Sequence, residues 1–171
     1  MARKTSLREY QAAVAERLRT LAQRGASAAS RLGFMVGDTR WIMQLNEVAE
    51  VLPVPPVMPI PLSKSYFRGV CNVRGNLYGV VDFSAFMEKA PVASNVENRL
   101  LLLPQVVVHG SALLVSRMAG LRNAENFHLL ERSSDLPVWI MNRYKDQDGN
   151  EWNELDVAAL ALDEKFLNVG I

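Results

Sequence analysis

The stretch FRGVCNVRGNLYGVVDFSAFM, Phe67 to Met87, decides how the rest of the chain is read. Val70, Val73, Leu77, Val80 and Val81 favour strands, and Gly75-Asn76 is a hairpin signal. Two short strands are therefore expected to turn back on each other around Arg74-Gly75-Asn76. Asp82 stands where an N-cap belongs, able to accept from a free backbone N–H of a helical turn over Phe83–Met87. Arg74 is a fixed positive charge at the hairpin tip, beside a run of apolar residues.

On the N-terminal side of this hairpin, Leu32, Phe34 and Val36 alternate, Gly37-Asp38 makes a two-residue turn, and Trp41, Met43 and Leu45 alternate on the return. Asn46–Leu52 reads as a turn leading into a strand. Pro53, Pro55, Pro56, Pro59 and Pro61 exclude a central strand and predict an extended edge or connector. Ser63–Phe67 is a short turn.

On the C-terminal side, Glu88–Asn98 is a polar loop. Arg99–Val108 and Ala112–Arg117 read as strands joined through His109-Gly110-Ser111, whereas Met118–Glu131 fits neither period. Pro137–Lys145 is a strand, Asp146–Asn150 a turn, and Trp152–Leu155 the return. Asp156 caps a helix over Val157–Leu162, and Phe166 and Leu167 lie in a terminal turn. Many short strands with turns between them argue for a mostly β protein made of small barrels, with helices at the termini.

Ahead of all this, Ser6–Arg24 reads as a helix, with a Ser6/Glu9 capping box, a Leu7, Tyr10, Val14, Leu18, Leu21 stripe and Gly25 as its stop. GASAAS, Gly25–Ser30, is a flexible joint. Residues 1–31 carry seven Lys/Arg against Glu9 and Glu16, a balance of +5, which leaves −4 on the remainder of a chain whose net charge is +1. Whether this helix packs on its own domain or turns its basic face to an acidic partner is left open by the sequence. The expected organisation is an N-terminal extension and joint over 1–31, a two-lobed domain over 32–162 and a short tail over 163–171.

Composition narrows the function. With 171 residues, 49% hydrophobic, the chain can bury a sizeable core. Its near-neutral charge gives no general reason to expect nucleic acid. A single cysteine, Cys71, rules out an internal disulfide, which suits a reducing cytoplasm. No apolar run reaches the ~20 residues of a membrane span, so direct membrane insertion is not expected.

No catalytic residues are identified: there is no phosphate-cradling Gly-rich loop with Lys, no HExxH and no Gly-x-Ser-x-Gly. His109 and His128 lack metal-ligand neighbours. Asp146-Gln147-Asp148-Gly149-Asn150 resembles the start of a calcium loop but has Gly fourth rather than sixth, and no metal or cofactor is expected. Cys71 reads as a small buried hydrophobe. A binding module is preferred to an enzyme, and Glu47, Glu50 and Arg74 are the charges set in the densest apolar sequence.

The central stretch also carries a family resemblance. Gly69-Val70-Cys71-Asn72-Val73-Arg74-Gly75-Asn76, followed by an apolar strand ending in Asp82-Phe83, resembles the signature of CheW-like adaptors, the coupling proteins of bacterial chemosensory arrays. It departs at Cys71, usually Ile, and at Gly79, usually Pro. Val115-Ser116 stands where Val-Asp is frequent. The resemblance spans about Leu32 to Leu162 and implies two five-stranded SH3-like barrels sharing a hydrophobic seam.

It further implies a non-catalytic adaptor with two partners. Leu45, Val48, Glu50 and Arg74 match positions beside the groove that grips the signalling tip of a methyl-accepting chemoreceptor. Tyr66, Phe67, Gly69 and Val70 match the region meeting the regulatory domain of a CheA-like histidine kinase, with Gly69 allowing close backbone approach. Trp139-Ile140, Tyr144-Lys145-Asp146, Glu151-Trp152-Asn153-Glu154-Leu155-Asp156 and Phe166-Leu167 look like the branch serving type IV pilus twitching motility, the PilI-like proteins. The implied location is cytoplasmic, at membrane-bound receptor arrays.

The alternatives are an adaptor for flagellar chemotaxis and, from a different class, a nucleic-acid-binding β-barrel. The barrel reading would need basic and aromatic residues interleaved on strands, where this chain clusters its basic residues in the N-terminal helix. A phosphatase-like chemotaxis enzyme would need an acidic residue and Asn on one exposed helix, and no such helix lies between the strands.

Overall fold

The computed structural model describes residues 30–171. The helix expected over Ser6–Arg24, and most of the joint after it, lie outside the described residues. From Ser30 the chain lays down eleven strands in two sheets. β1 (Ser30–Val36) and β2 (Thr39–Gln44) form the first hairpin, with Val36 opposite Thr39 across the two-residue turn.

The chain then leaves this sheet for five strands: β3 (Glu50–Pro53), β4 (Phe67–Val73), β5 (Asn76–Asp82), β6 (Arg99–Leu102) and β7 (Ser111–Val115), ordered β3-β6-β7-β5-β4. It returns with β8 (Arg117–Asn123), β9 (Phe127–Leu129), β10 (Ile140–Asp146) and β11 (Glu151–Leu155) to complete a sheet ordered β8-β1-β2-β11-β10-β9. Three short helices are α1 (Phe83–Phe86), α2 (Val157–Leu160) and α3 (Glu164–Leu167).

The first sheet counts six strands where five are expected, because the stretch over Met118–Glu131 that follows neither period contributes both edges. β8 pairs with β1, a 3-10 turn at Ala124–Asn126 redirects the chain, and β9 pairs with β10 at the far side. One bent ribbon thus spans the opening, and this lobe is five passes of chain. The second lobe is likewise five strands, its edges linked when Met58 and Val70 exchange backbone hydrogen bonds of 2.8 and 2.9 Å. The proline-rich stretch is the extended edge segment its composition predicts.

The lobes share one core. Leu101, Leu103, Leu113 and Val115 of the second lobe pack in one cluster with Leu32, Phe34, Trp41 and Met43 of the first. On the opposite face of the same strands, Leu100, Leu102, Ala112 and Leu114 join Cys71, Val73, Tyr78 and Val80 inside the second barrel. β6 and β7 are therefore apolar on both faces, which is why their sequences run RLLL and ALLV without alternation.

Aromatic rings fill the seam. Trp41 lies 5.1 Å edge-on from Phe83 and 6.0 Å from Trp139, and Phe86 contacts both Trp139 and Phe166. Such pairs contribute about 0.5–1.5 kcal/mol each beyond area burial. Phe166 is buried, and residues 169–171 bond back to Leu62 and Lys64, so the segment set apart as a tail packs as part of the domain.

Three boundaries differ from expectation. The strand expected over Arg99–Val108 stops at Leu102. Pro104 cannot donate to a ladder, and its carbonyl accepts from Val107 and Val108 N–H to form a turn. The strand expected from Pro137 starts at Ile140, whose N–H donates to the Pro137 carbonyl at 3.0 Å. The central hairpin turns on Arg74-Gly75 alone, both with positive φ, and Asn76 already pairs with Val73.

Asp82 caps α1 as its position predicts, and does more. It is fully buried, Oδ1 accepts from Ser84 and Ala85 N–H, and Oδ2 takes Val92 N–H at 3.0 Å and Arg68 Nε at 3.2 Å. One carboxylate thus fixes the end of β5, the start of α1 and the loop at Val92. Removing it leaves three buried N–H groups and an arginine without their acceptor. Asp82→Ala is expected to lower unfolding free energy by roughly 3 kcal/mol, read from urea denaturation followed by circular dichroism.

Candidate functional site

The central hairpin presents Arg74 at its tip, in a left-handed conformation with φ 51°. Asn72 explains how the turn holds that shape: its Oδ1 accepts from Gly75 N–H at 2.9 Å. The Asn-x-Arg-Gly pattern therefore has a local physical cause that hairpin propensity alone did not reveal. Arg74 Nη2 pairs with Glu50 Oε2, joining the hairpin tip to β3 at the opposite edge of the sheet. The side chains are 70% and 37% exposed, so the pair is open to water. An exposed pair of this kind contributes about 0–1 kcal/mol to folding.

Of the other residues matched to the receptor side, Leu45 is exposed in a 3-10 turn at Leu45–Glu47, and Val48 is half-buried against the shared core. The structure brings Glu50 and Arg74 into contact and places Leu45 and Val48 on the segment feeding β3. Glu47 secures that segment. Its Oε2 accepts from Gln44 N–H at 3.1 Å and its Oε1 from Val157 N–H at 3.2 Å, so one side chain ties the turn to the start of α2. Burial raises its pKa from the ordinary 4.5, opposed by those two N–H donors and reinforced by the nearby Asp156 and Glu154 carboxylates.

The four residues matched to the kinase side are not alike. Tyr66 is buried, its ring edge-on to Phe86 and its hydroxyl donating to the Lys165 carbonyl, so it supports the surface from beneath. Phe67 and Val70 are half-buried. Gly69 is buried with φ +125°, and a Cβ there would lie 1.9 Å from the Met58 carbonyl oxygen. The close approach that requires glycine is thus made by this chain's own Met58-Pro59. What faces outward beside it is an exposed apolar rib, Met58-Pro59-Ile60, which turns at Pro61-Leu62, with Met58 68% exposed. Sequence reading gave these residues a connector's role, because prolines mask the alternation that would mark a strand.

The departures from the family pattern also have local causes. Gly79 leaves room for the Phe67 ring, which a Cβ would meet at 3.0 Å, and its N–H donates to the Gly110 carbonyl at 2.7 Å, a bond proline cannot make. Ser116 Oγ accepts from Gly37 N–H at 2.8 Å, a task an Asp oxygen could perform equally. Cys71 is buried, and burial pushes its thiol up, away from the reactive thiolate. Asp146 is committed to its own loop, taking Asp148 and Asn150 N–H and Trp152 Nε1, and its pKa is lowered by those donors although desolvation opposes them. Among the described residues no cluster of His, Cys, Asp or Glu could hold a metal ion, and no helix is long and apolar enough to cross a membrane.

The chain matches the CheW-like domain over residues 31–165. It belongs to the CheW-like family. Protein PilI of Pseudomonas aeruginosa is 28% identical over 155 residues, covering 87% of this chain and 84% of that protein. Chemotaxis protein CheW of Rhizobium meliloti is 29% identical over 90 residues, 53% of this chain and 57% of that protein. In three dimensions the scaffolding protein TtCheW of Thermoanaerobacter tengcongensis superposes with a TM-score of 0.64 over 75% of this chain and 88% of its own, at 13% identity. That likeness shows the shared fold of two SH3-like barrels.

The raised Glu47 pKa has a sign that can be checked. Between the ordinary carboxylate value and the raised one, the folded state binds more protons than the unfolded state, so this group makes folding less favourable as pH rises through that window. Glu47→Gln is expected to flatten that part of the stability profile, measured by urea denaturation at successive pH values between about 4 and 6.5.

Proposed function

We propose that this CheW-like chain is a non-catalytic adaptor joining the signalling tip of a methyl-accepting chemoreceptor to the regulatory domain of a CheA-like histidine kinase. The observation that carries this reading is the Arg74–Glu50 pair. It is held at the tip of a hairpin by Asn72, set beside the exposed Leu45 segment, and worth little to the fold. Charges presented in that way suit the flank of a groove for an amphipathic helix, where apolar contacts give affinity and the ions set orientation. The kinase side is the rib over Gly69, with Phe67 and Val70 beside it and Tyr66 as buried support. Receptor state then biases kinase populations through contacts on two faces of one body.

The similarity to PilI over most of both chains favours control of type IV pilus twitching motility over the flagellar alternative. The adaptor works in the cytoplasm, at membrane-bound receptor arrays.

Two substitutions separate the faces. Arg74→Ala is expected to leave thermal stability within about 1 kcal/mol of the parent and to weaken receptor capture in a pull-down; undiminished capture by the folded variant defeats the receptor assignment. Gly69 is a poor probe because any Cβ strikes Met58, so the kinase face is tested at the exposed Met58 itself. Met58→Asp is expected to lower kinase affinity at least about tenfold by calorimetry while receptor capture persists, and equal affinity rejects that face.

A further inference from the structure

Leu121 is used neither by the core nor by the adaptor reading. It stands on β8 opposite Leu32, and Leu32 stands opposite Met43, so the three side chains share one face of the first sheet. Leu32 and Met43 are buried in the shared core, whereas Leu121 on the outer strand is 65% exposed. Leu45, which follows β2 directly, is 46% exposed, and Val48 packs half-buried against the same core. One flank of the seam is therefore apolar and uncovered among the described residues. Isolated exposed leucines are ordinary on a protein surface, so this flank alone specifies no occupant.

The point where the chain enters the domain does. Ser30 opens β1 opposite Asn123, and Arg31 lies opposite Gln44. The entry thus falls between the strand that carries Leu121 and the strand that leads into Leu45, within about 10 Å of each by ladder spacing. Residues 1–29 precede it, and their sequence sets Leu7, Tyr10, Val14, Leu18 and Leu21 at the spacing of one helical face. A helix over Ser6–Arg24 would be about 28 Å long, and the joint Gly25–Ser30 reaches about 20 Å. An apolar helical stripe, the kind of ligand a helix-binding groove takes, is therefore tethered at the edge of this flank.

Charge favours the same placement. Residues 1–29 hold six Lys/Arg against two Glu, a balance of +4, which leaves −3 on residues 30–171 of a chain at +1. Glu125 is exposed in the 3-10 turn that follows Asn123, and it forms no ion pair among the described residues. It stands beside the entry as a counter-charge for the basic residues of the segment.

We propose that residues 6–24 dock as an amphipathic helix on the flank formed by Leu45, Val48 and Leu121, where they compete with the receptor helix. A short flexible tether gives an effective concentration in the millimolar range, so contacts too weak to hold two separate molecules suffice within one chain. The receptor then binds only the molecules in which the segment is released, and its apparent affinity falls by that fraction. The competition rests on the adaptor reading; the docking does not.

Amide hydrogen exchange on the full chain, with no partner added, tests the docking. A free helix of this length is marginal in water, so amides of residues 6–24 are expected to exchange at least about tenfold more slowly in the protein than in a synthetic peptide of residues 1–29. Leu121→Asp and Leu18→Asp, one on each side of the contact, are each expected to remove that protection. Leu162→Asp, at an exposed leucine after α2, is expected to leave it intact. Thermal melts establish that each variant is folded. Exchange at the rate of the peptide, or protection that survives Leu121→Asp, overturns the proposal. Leu18→Asp leaves the flank itself untouched and is expected to raise affinity for a receptor signalling-domain fragment about fivefold or more by calorimetry. Protection lost with receptor affinity unchanged overturns the competition. Absence of receptor binding in parent and Leu18→Asp alike defeats the adaptor reading instead, and the exchange rates then decide the docking by themselves.

Discussion

Burial of β6 and β7 on both faces is the constraint on which the rest of the molecule depends. Leu100, Leu102, Ala112 and Leu114 fill one barrel while Leu101, Leu103, Leu113 and Val115 fill the seam with the other. Each fully buried leucine or valine is worth about 1.5–3 kcal/mol, and the three leucines and one valine on the seam side already exceed what a hinge between lobes could tolerate losing. The lobes are consequently one packed body. Surfaces on different sides of it keep a fixed distance and orientation.

Charged groups divide sharply by environment. Asp82 and Glu154 are buried, and both are saturated with partners, Glu154 by Arg31, Asn142 and Tyr144. Truncating such a group strands the others in a low-dielectric interior, so these carboxylates hold the fold. Arg74 and Glu50 are paired in water, where screening and side-chain entropy cancel most of the attraction. The same chemical contact holds the fold in one place and adds little to it in the other, and exposure decides which.

Much of this was legible in the sequence, for identifiable reasons. The hairpins at 32–45 and 67–82 announce themselves through alternation and turn residues, and the caps at Asp82 and Asp156 through position alone. Arg74 stood out as a charge beside apolar strands, and Glu50 was named with it, but their contact needed the curl of the sheet that brings β3 to the hairpin tip. The ribbon from Arg117 to Leu129 was unreadable because most of its residues face solvent and a 3-10 turn splits it, so no apolar alternation marks a buried face. Gly69 was recognised as a site of close approach, but no local pattern says whether the approaching backbone belongs to a partner or to Met58, 11 positions earlier. Glu47 was marked as a charge in apolar sequence, but its task was not legible, since its second acceptor bond reaches Val157, 110 residues away.

The parallel pairing of β2 with β11 sets Arg40 opposite Trp152 and Ile42 opposite Glu154. A ribosome delivers the first of these strands long before the second. Until residues 139–155 emerge, the nascent hairpin must carry Leu32, Phe34 and Trp41 without their final cover, while the intervening strands are free to organise around Leu100 and Leu114. A chain cut short after Val115 would end with one barrel's strands complete and a greasy flank bare, a shape suited to aggregation. The interleaved order of strands thus makes the last quarter of the polypeptide the step that covers the apolar flank the earlier strands leave open.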